Sequence, residues 1–203
     1  LGRLTLSHLQ RAALETLLRV PAPSSYLAGG LAVAAHLGHR TSRDFDVFAP
    51  NLDVVTLAAA LTALPEVRLV DQAPGTLHLM VHGVPVSLLE YRYKLLETPV
   101  VGDDGIAIAA LEDLSCMKLS AIAGRGAGRD FWDLHEILTT RKWSVDYALD
   151  LFRRKYPRVD VGHVVRSLVY FADADADPRP LGLTGEHWEA IKTDLRTWIK
   201  ALA

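Results

Sequence analysis

Every strand-like run in this chain falls within its first 110 residues, and everything beyond reads as helix. Tyr26–Ala28, Phe45–Phe48, Val67–Asp71, Thr76–His82, Val84–Tyr91 and Ile106–Ala109 have strand character, with Pro74-Gly75, His82-Gly83 and Gly102–Gly105 as turn signals. Helical stretches at Ser7–Arg19, Leu31–Leu37 and Val54–Leu64 separate the early strands, with Ser7 as an N-cap, Gly38 at a C′ position and Pro21 and Pro65 as stops. From Leu111 the helical periods run over Leu111–Ala123, Arg129–Thr139, Val145–Tyr156, Val161–Ala172 and Thr184–Leu202. This segregation predicts an α+β protein: residues 1–110 form a mixed β-sheet with helices packed on one face, and residues 111–203 form a helical C-terminal subdomain. With 50% hydrophobic residues in 203, the chain can fill a core.

The sharpest local feature is Tyr26 to Phe48, which places Gly29-Gly30 after a short apolar run and then Asp44 and Asp46 around Phe45. Residues two apart in a strand share a face, so the two carboxylates project together while Phe45 and Val47 enter the core. Carboxylates held that close repel unless a cation or proton lies between them. Hard oxygen ligands favour Mg²⁺ or Mn²⁺ over zinc, and a glycine pair lets backbone approach a phosphate. Metal plus phosphate points to nucleotide chemistry.

A second cluster puts charge where core is expected. Lys118 lies in the apolar stripe Leu111, Leu114, Met117, Ala121 and Ile122, and Asp130 and Asp133 share a face with Leu134, Ile137 and Leu138. Burying an unpaired charge is costly, so these groups either pair with one another or face a ligand. The Gly124–Arg129 stretch between them, GRGAGR, follows no strand and so is no dinucleotide fingerprint; it reads as a flexible, phosphate-friendly hinge.

Together, Gly29-Gly30, His39-Arg40-x-Ser42-x-Asp44-x-Asp46 and Lys118…Arg125…Arg129-Asp130-x-x-Asp133-Leu134 resemble the nucleotidyltransferase AbiEii/AbiGii toxin family, a branch of the DNA polymerase β-like nucleotidyltransferase superfamily. The resemblance covers Tyr26 to Leu138. It implies a polymerase β-like core in which Asp44 and Asp46 bind Mg²⁺ or Mn²⁺, Gly29 and Gly30 approach the phosphates of a nucleoside triphosphate, and Arg40 and Ser42 line that site. It further implies that the helical subdomain contributes Lys118 to the triphosphate and Asp130 to the attacking hydroxyl, with Arg129 and Asp133 in support. The implied activity is metal-dependent nucleotidyl transfer to a hydroxyl acceptor. RNA, tRNA in particular, is the expected acceptor, a cognate antitoxin the expected partner, and toxin–antitoxin or phage defence the expected setting. Two positions depart from the pattern: Leu31 replaces the usual Ser or Thr, and Ser87 stands where a third strand carboxylate belongs, with Glu90 on the opposite face by parity. Both weaken the expected activity. They motivate one alternative, a degenerate nucleotide-binding module without turnover, and the shared Gly…Asp-x-Asp core leaves open another, a small-molecule nucleotidyltransferase of the aminoglycoside-modifying type.

Other features carry less. The net charge of −2 exerts no global pull on nucleic acid, although Arg141–Arg158 holds six basic residues against two acids with Tyr147, Phe152 and Tyr156 interleaved, a pattern suited to an RNA backbone or to a solvated helix face. Asp173, Asp175 and Asp177 mimic a calcium loop, but Pro178 and Thr184 occupy positions that need Gly and Glu, so the stretch reads as an acidic loop. His36 and His39 read as packing or phosphate neighbours, Trp188 and Trp198 as core. Cys116, the single cysteine, permits no internal disulfide and reads as inert packing. No segment approaches 18 uninterrupted apolar residues and the start lacks a signal-peptide core, so a cytoplasmic, membrane-free location is expected, with the leading Leu a sign of a trimmed or reassigned start.

Overall fold

The computed structural model describes residues 5–20, 22, 24–102 and 105–202. Residues 1–4, the stop expected at Pro21 and Asp103–Asp104 of the Gly102–Gly105 turn lie outside them. The chain divides into two compact units: Leu1–Ala35 with Ser42–Lys94 and Pro99–Ala109, and His36–Thr41 with Leu95–Thr98 and Ala110–Ala203.

The first unit is built on a seven-stranded mixed sheet. Its elements are α1 (His8–Leu17), β1 (Tyr26–Ala28), the start of α2 (Gly29–Leu37), β2 (Phe45–Ala49), α3 (Val54–Thr62), β3 (Val67–Ala73), β4 (Thr76–Val81), β5 (Val84–Glu90), β6 (Val100–Val101) and β7 (Ala107–Ile108). The spatial order is β3-β4-β5-β2-β1-β7-β6. β2 occupies the middle, antiparallel to β1 and parallel to β5. Its Phe45, Val47 and Ala49 are buried while Asp46 and Phe48 are half-exposed, the alternation expected of a half-buried strand. The three strands β3, β4 and β5 form an antiparallel meander. β6 is an element the sequence pattern does not announce; it is two residues long and exists only as the partner of β7.

Helix α1 begins with a full capping box. Ser7 Oγ accepts from the Gln10 amide at 3.2 Å, and the Gln10 side chain accepts from the Ser7 amide at 3.0 Å. The same Gln10 donates through Nε2 to the Ser42 carbonyl at 2.8 Å and to that of Arg43 at 3.3 Å. α1 thereby fastens the backbone that leads into Asp44. Helix α2 starts two residues earlier than the sequence pattern indicates, because Gly29 enters the helix directly from β1 with φ +65°.

The second unit is helical: α4 (Leu111–Gly124), α5 (Gly128–Arg141), α6 (Val145–Lys155), α7 (Val161–Ser167), α8 (Ala172–Ala176) and α9 (Gly185–Lys200). α4 packs on α5, α6 and α7, and α5 packs on α9. Leu114, Leu119, Phe131, Leu134, Ile137, Phe152, Ile191 and Leu195 are all but inaccessible and form its core. A buried ion pair joins α4 to α6: Lys155 Nζ donates to Asp113 Oδ1 at 2.5 Å, and neither side chain is exposed. Asp113 also accepts from the Leu96 and Glu97 amides at 3.0–3.1 Å, which draws residues 95–98 into this unit.

Two expectations are corrected here. The single helix read over Val161–Ala172 breaks after α7, and the chain turns so that Phe171 packs against Phe131 and Trp188 at ring distances of 5.3 and 5.8 Å. The acidic stretch read as a loop contains α8, and Asp175 accepts from Trp188 Nε1 at 2.6 Å and from Lys192 Nζ at 3.1 Å. That acid fastens α9 rather than belonging to an acidic loop. Among the described residues no helix is long and apolar enough to cross a membrane.

Candidate active site

In the sheet unit, the candidate residues meet at the junction of β1, α2 and β2. Ala28 lies opposite Asp46 in the β1–β2 pair, so the residue after it, Gly29, comes directly over the carboxylate. A Cβ on Gly29 would overlap Asp46 Oδ2, and the positive φ independently excludes ordinary side chains. Gly29 is therefore required by the acid it accommodates. Asp44 is exposed and immediately precedes β2, and Asp46 is half-exposed within it. Gly29 and Gly30 open the first turn of α2, where backbone amides lack intrahelical partners and favour anions. Leu31, in the same turn, is 4% exposed and serves the core, which accounts physically for the missing hydroxyl.

On the other side of β2, Ser87 of β5 is the register partner of Asp46, the position where a third carboxylate was expected. Ser87 Oγ is 3.1 Å from His78 Nδ1, its own register partner on β4. Glu90 is held by Arg92 at 3.2 Å. Ser42 is half-exposed, with its carbonyl held by Gln10.

In the helical unit, Lys118, Asp130, Asp133 and Arg40 form one buried network with His39 and Arg125. Lys118 Nζ lies 3.0 Å from Asp130 Oδ1 and 2.7 Å from Asp133 Oδ2. Arg125 reaches both oxygens of Asp130 at 2.7 and 2.9 Å, and Arg40 both oxygens of Asp133 at 2.6 and 2.7 Å. His39 Nε2 approaches Asp133 Oδ1 at 2.8 Å. Both carboxylates have 0% exposure and Lys118 has 4%. Burial on its own would raise these carboxyls. The Lys118 ammonium, aided by the Arg125 hydrogen bonds at Asp130 and those of Arg40 and His39 at Asp133, outweighs it and holds both below the usual carboxylate range. Three side-chain cations thus face two carboxylates, leaving positive charge in excess.

Of the residues singled out in the sequence, Gly29 and Asp46 meet in one unit, and Arg40, Lys118, Asp130 and Asp133 meet in the other. Arg129 is exposed on α5 and, among the described residues, takes no part in the network. Gln10 and His78 are not announced as site elements by the sequence, and His39, which reads there as packing or a phosphate neighbour, is bound to Asp133. A capping-box Gln and a His three residues before Ser42 carry no local signal of the distant groups they bind. The basic stretch Arg141–Arg158 is thinned by the fold: Lys155 is spent on Asp113, Arg153 pairs with Asp150 at 2.5 Å, and Arg141 sits 5.2 Å over the Trp143 ring.

A mixed seven-stranded sheet with an Asp-x-Asp strand, followed by a helical unit with a buried Lys–Asp–Asp network, has the make-up of a polymerase β-like nucleotidyltransferase. Residues 80–198 match the family model described as nucleotidyl transferase AbiEii toxin, type IV toxin–antitoxin system, and the chain belongs to that family. The matched span contains Lys118, Asp130 and Asp133, and the Gly29–Asp46 stretch precedes it. An uncharacterized protein of Aquifex aeolicus is 36% identical over 202 residues, covering 94% of each chain. Among solved structures, MenT4, a nucleotidyltransferase toxin of Mycobacterium tuberculosis, superposes with a TM-score of 0.61 at 17% identity, covering 96% of this chain and 82% of its own. The antibiotic-resistance factor ANT(2'')-Ia gives 0.54 at 14% identity, covering 78% of this chain and 98% of its own. At those identities the two structures speak for the shared α+β fold.

Proposed function

We propose that this protein is a metal-dependent nucleotidyltransferase that moves a nucleotidyl group from a nucleoside triphosphate to a hydroxyl of RNA, tRNA foremost, in the cytoplasm. We propose further that it is the toxin of a toxin–antitoxin pair. The observation that carries this reading is the Gly29–Asp46 contact, where only a residue without a side chain lets the backbone at the start of α2 pack against a carboxylate two residues from a second one. Two carboxylates that close in the chain are hard oxygen donors of the kind that fit Mg²⁺ or Mn²⁺, which Asp44 and Asp46 would hold. When bound, the ion would neutralise phosphate charge and polarise the reacting phosphoryl group.

The protein's own residues supply the rest. Amides of the first α2 turn, with Gly29 and Gly30, give the phosphates a close approach, and Ser42 lines the same loop. Lys118 and Arg40 belong to the positively charged network, which suits a polyphosphate. Asp130 has both oxygens engaged by Lys118 and Arg125, which suits positioning of cations better than deprotonation of an acceptor. Asp133 does the same for Arg40, and exposed Arg129 is free to meet substrate charge. In the reaction the acceptor oxygen bonds to the α-phosphorus, the bond to the bridging oxygen of pyrophosphate breaks, and the hydroxyl proton passes to solvent or a nearby base. Leu31 and Ser87 weaken this machinery, the first by removing a phosphate-contacting hydroxyl and the second by removing a carboxylate beside Asp46.

Incubation with α-labelled and γ-labelled triphosphates, Mg²⁺ and total RNA tests the reading. Label should enter RNA from the α position alone, and Asp44→Ala should abolish it; equal transfer by Asp44→Ala would refute the assignment. The excess of positive charge disfavours a cationic aminoglycoside acceptor. Ser87 in register with Asp46 favours a second reading, nucleotide binding without turnover, which predicts a nucleotide- and Mg²⁺-dependent thermal shift with no labelled product.

A further inference from the structure

Next along α5 from Asp133, three donor atoms converge that the proposed chemistry does not use. His135 and Glu136 stand side by side on α5, and His187 lies in the first turn of α9. His187 Nε2 is 3.4 Å from Glu136 Oε1, and His135 Nδ1 is 3.9 Å from the same oxygen. One ligand atom from each of the three residues falls within 4.8 Å of the others. Ligands of a tetrahedral ion with bonds of about 2.0–2.1 Å are separated by roughly 3.3 Å, so small side-chain rotations close the set.

His135 carries the argument. Its side chain is 9% exposed, and its Nε2 lies 2.9 Å from Asp194 Oδ2. A proton on Nε2 leaves a lone pair on Nδ1, which lies 3.9 Å from Glu136 Oε1 and is buried with no hydrogen-bond partner among the described residues. A lone pair facing a carboxylate is repulsive unless a cation or a proton fills the gap. The arrangement matches metal-binding histidines, whose second ring nitrogen is held by a carboxylate that fixes the tautomer. Around it, His135 stacks on Trp198 at 5.3 Å, and Trp132 Nε1 donates to Glu136 Oε1 at 3.3 Å, so two of the three donors are held in place.

We propose that His135 Nδ1, a Glu136 carboxylate oxygen and His187 Nε2 form a Zn²⁺-class transition-metal site that fastens the first turn of α9 to α5. Two imidazoles and one carboxylate select a borderline ion such as Zn²⁺ over Mg²⁺. His187 is 37% exposed, so a solvent molecule has access to complete the coordination. The site is separate in chemistry from the carboxylate pair at Asp44 and Asp46 and does not depend on the proposed transferase activity.

The test uses the full chain stripped with a chelator and titrated with Zn²⁺ by calorimetry and with Co²⁺ by visible absorption. One equivalent of Zn²⁺ should bind, Co²⁺ should give the intense band of a tetrahedral site, and Zn²⁺ should raise the melting temperature. His187→Ala, at a partly exposed position that leaves the core intact, and Glu136→Gln should lose these signals. Asp194→Asn should weaken binding by about 10–100-fold, and Asp44→Ala should bind Zn²⁺ as the parent does. Absence of Zn²⁺ binding, unchanged affinity in His187→Ala, or loss of binding in Asp44→Ala with retention in His187→Ala would overturn the proposal. The last outcome would assign the bound ion to the carboxylate pair.

Discussion

Gly29 and Asp46 are coupled by space alone. The backbone at Gly29 has φ +65°, and a Cβ there would occupy the position of Asp46 Oδ2. Gly29→Ala should therefore destabilise the protein by about 1–2 kcal/mol through the left-handed conformation, and should reduce nucleotidyl transfer more than that loss of stability explains. Denaturant midpoints and transfer rates on the same preparation separate the two effects, and a variant with unchanged rate would remove Gly29 from the site. Asp130 offers a different residue-scale prediction. Lys118 and Arg125 hold its carboxyl below its unfolded value of 3.8. Such a group stabilises the fold above that pH, and the stabilisation is lost as pH falls through the folded value. Urea midpoints should therefore drop as pH is lowered from about 5 to 3, and Asp130→Asn, weaker at neutral pH, should show a shallower drop. Cys116 is inert at this scale, because burial first of all pushes its thiol up to about 12. It should resist thiol reagents at neutral pH until the protein unfolds.

At the scale of elements, what was legible is what is local. Phe45 and Val47 alternate with Asp46, so β2 and the half-exposed side of the strand that carries Asp46 can be read directly from the chain. The Ser7–Gln10 capping box marks the start of α1 for the same reason. The break between α7 and α8 is not legible, since Val161–Ala172 keeps a helical period and only the Phe171–Phe131 and Phe171–Trp188 contacts decide the turn. In sequence Lys155 belongs to a basic stripe, yet in the fold it pairs with Asp113, 42 residues away and buried. Removing it should be costly: Lys155→Met strands Asp113 without its cation and should lower stability by about 3–5 kcal/mol. The double variant with Asp113→Asn should recover part of that loss. Additive losses in a double-mutant cycle would deny the coupling.

For the whole molecule, the family and the fold followed from two motifs, but the wiring of the second did not. Lys118 within an apolar stripe signalled either an ion pair or a ligand contact, and both Asp130 and Asp133 turn out to be its partners. Arg40 lies 93 residues from Asp133, so no local pattern could announce that pair. The same arrangement has a chemical meaning, because three cations bound to two carboxylates leave positive charge suited to a phosphate chain. Under the proposed function the residues of this structural network would also meet the phosphates, so a transfer rate is the measurement that separates the two roles. The decisive measurement is the single-turnover rate of transfer from an α-labelled nucleoside triphosphate to RNA in the presence of Mg²⁺, compared between the parent and Asp46→Asn. Replacing one charged ligand by a neutral isostere should slow transfer by at least about a hundredfold, equivalent to roughly 2.7 kcal/mol of transition-state stabilisation, with the fold unchanged. Equal rates in the two proteins would contradict the account.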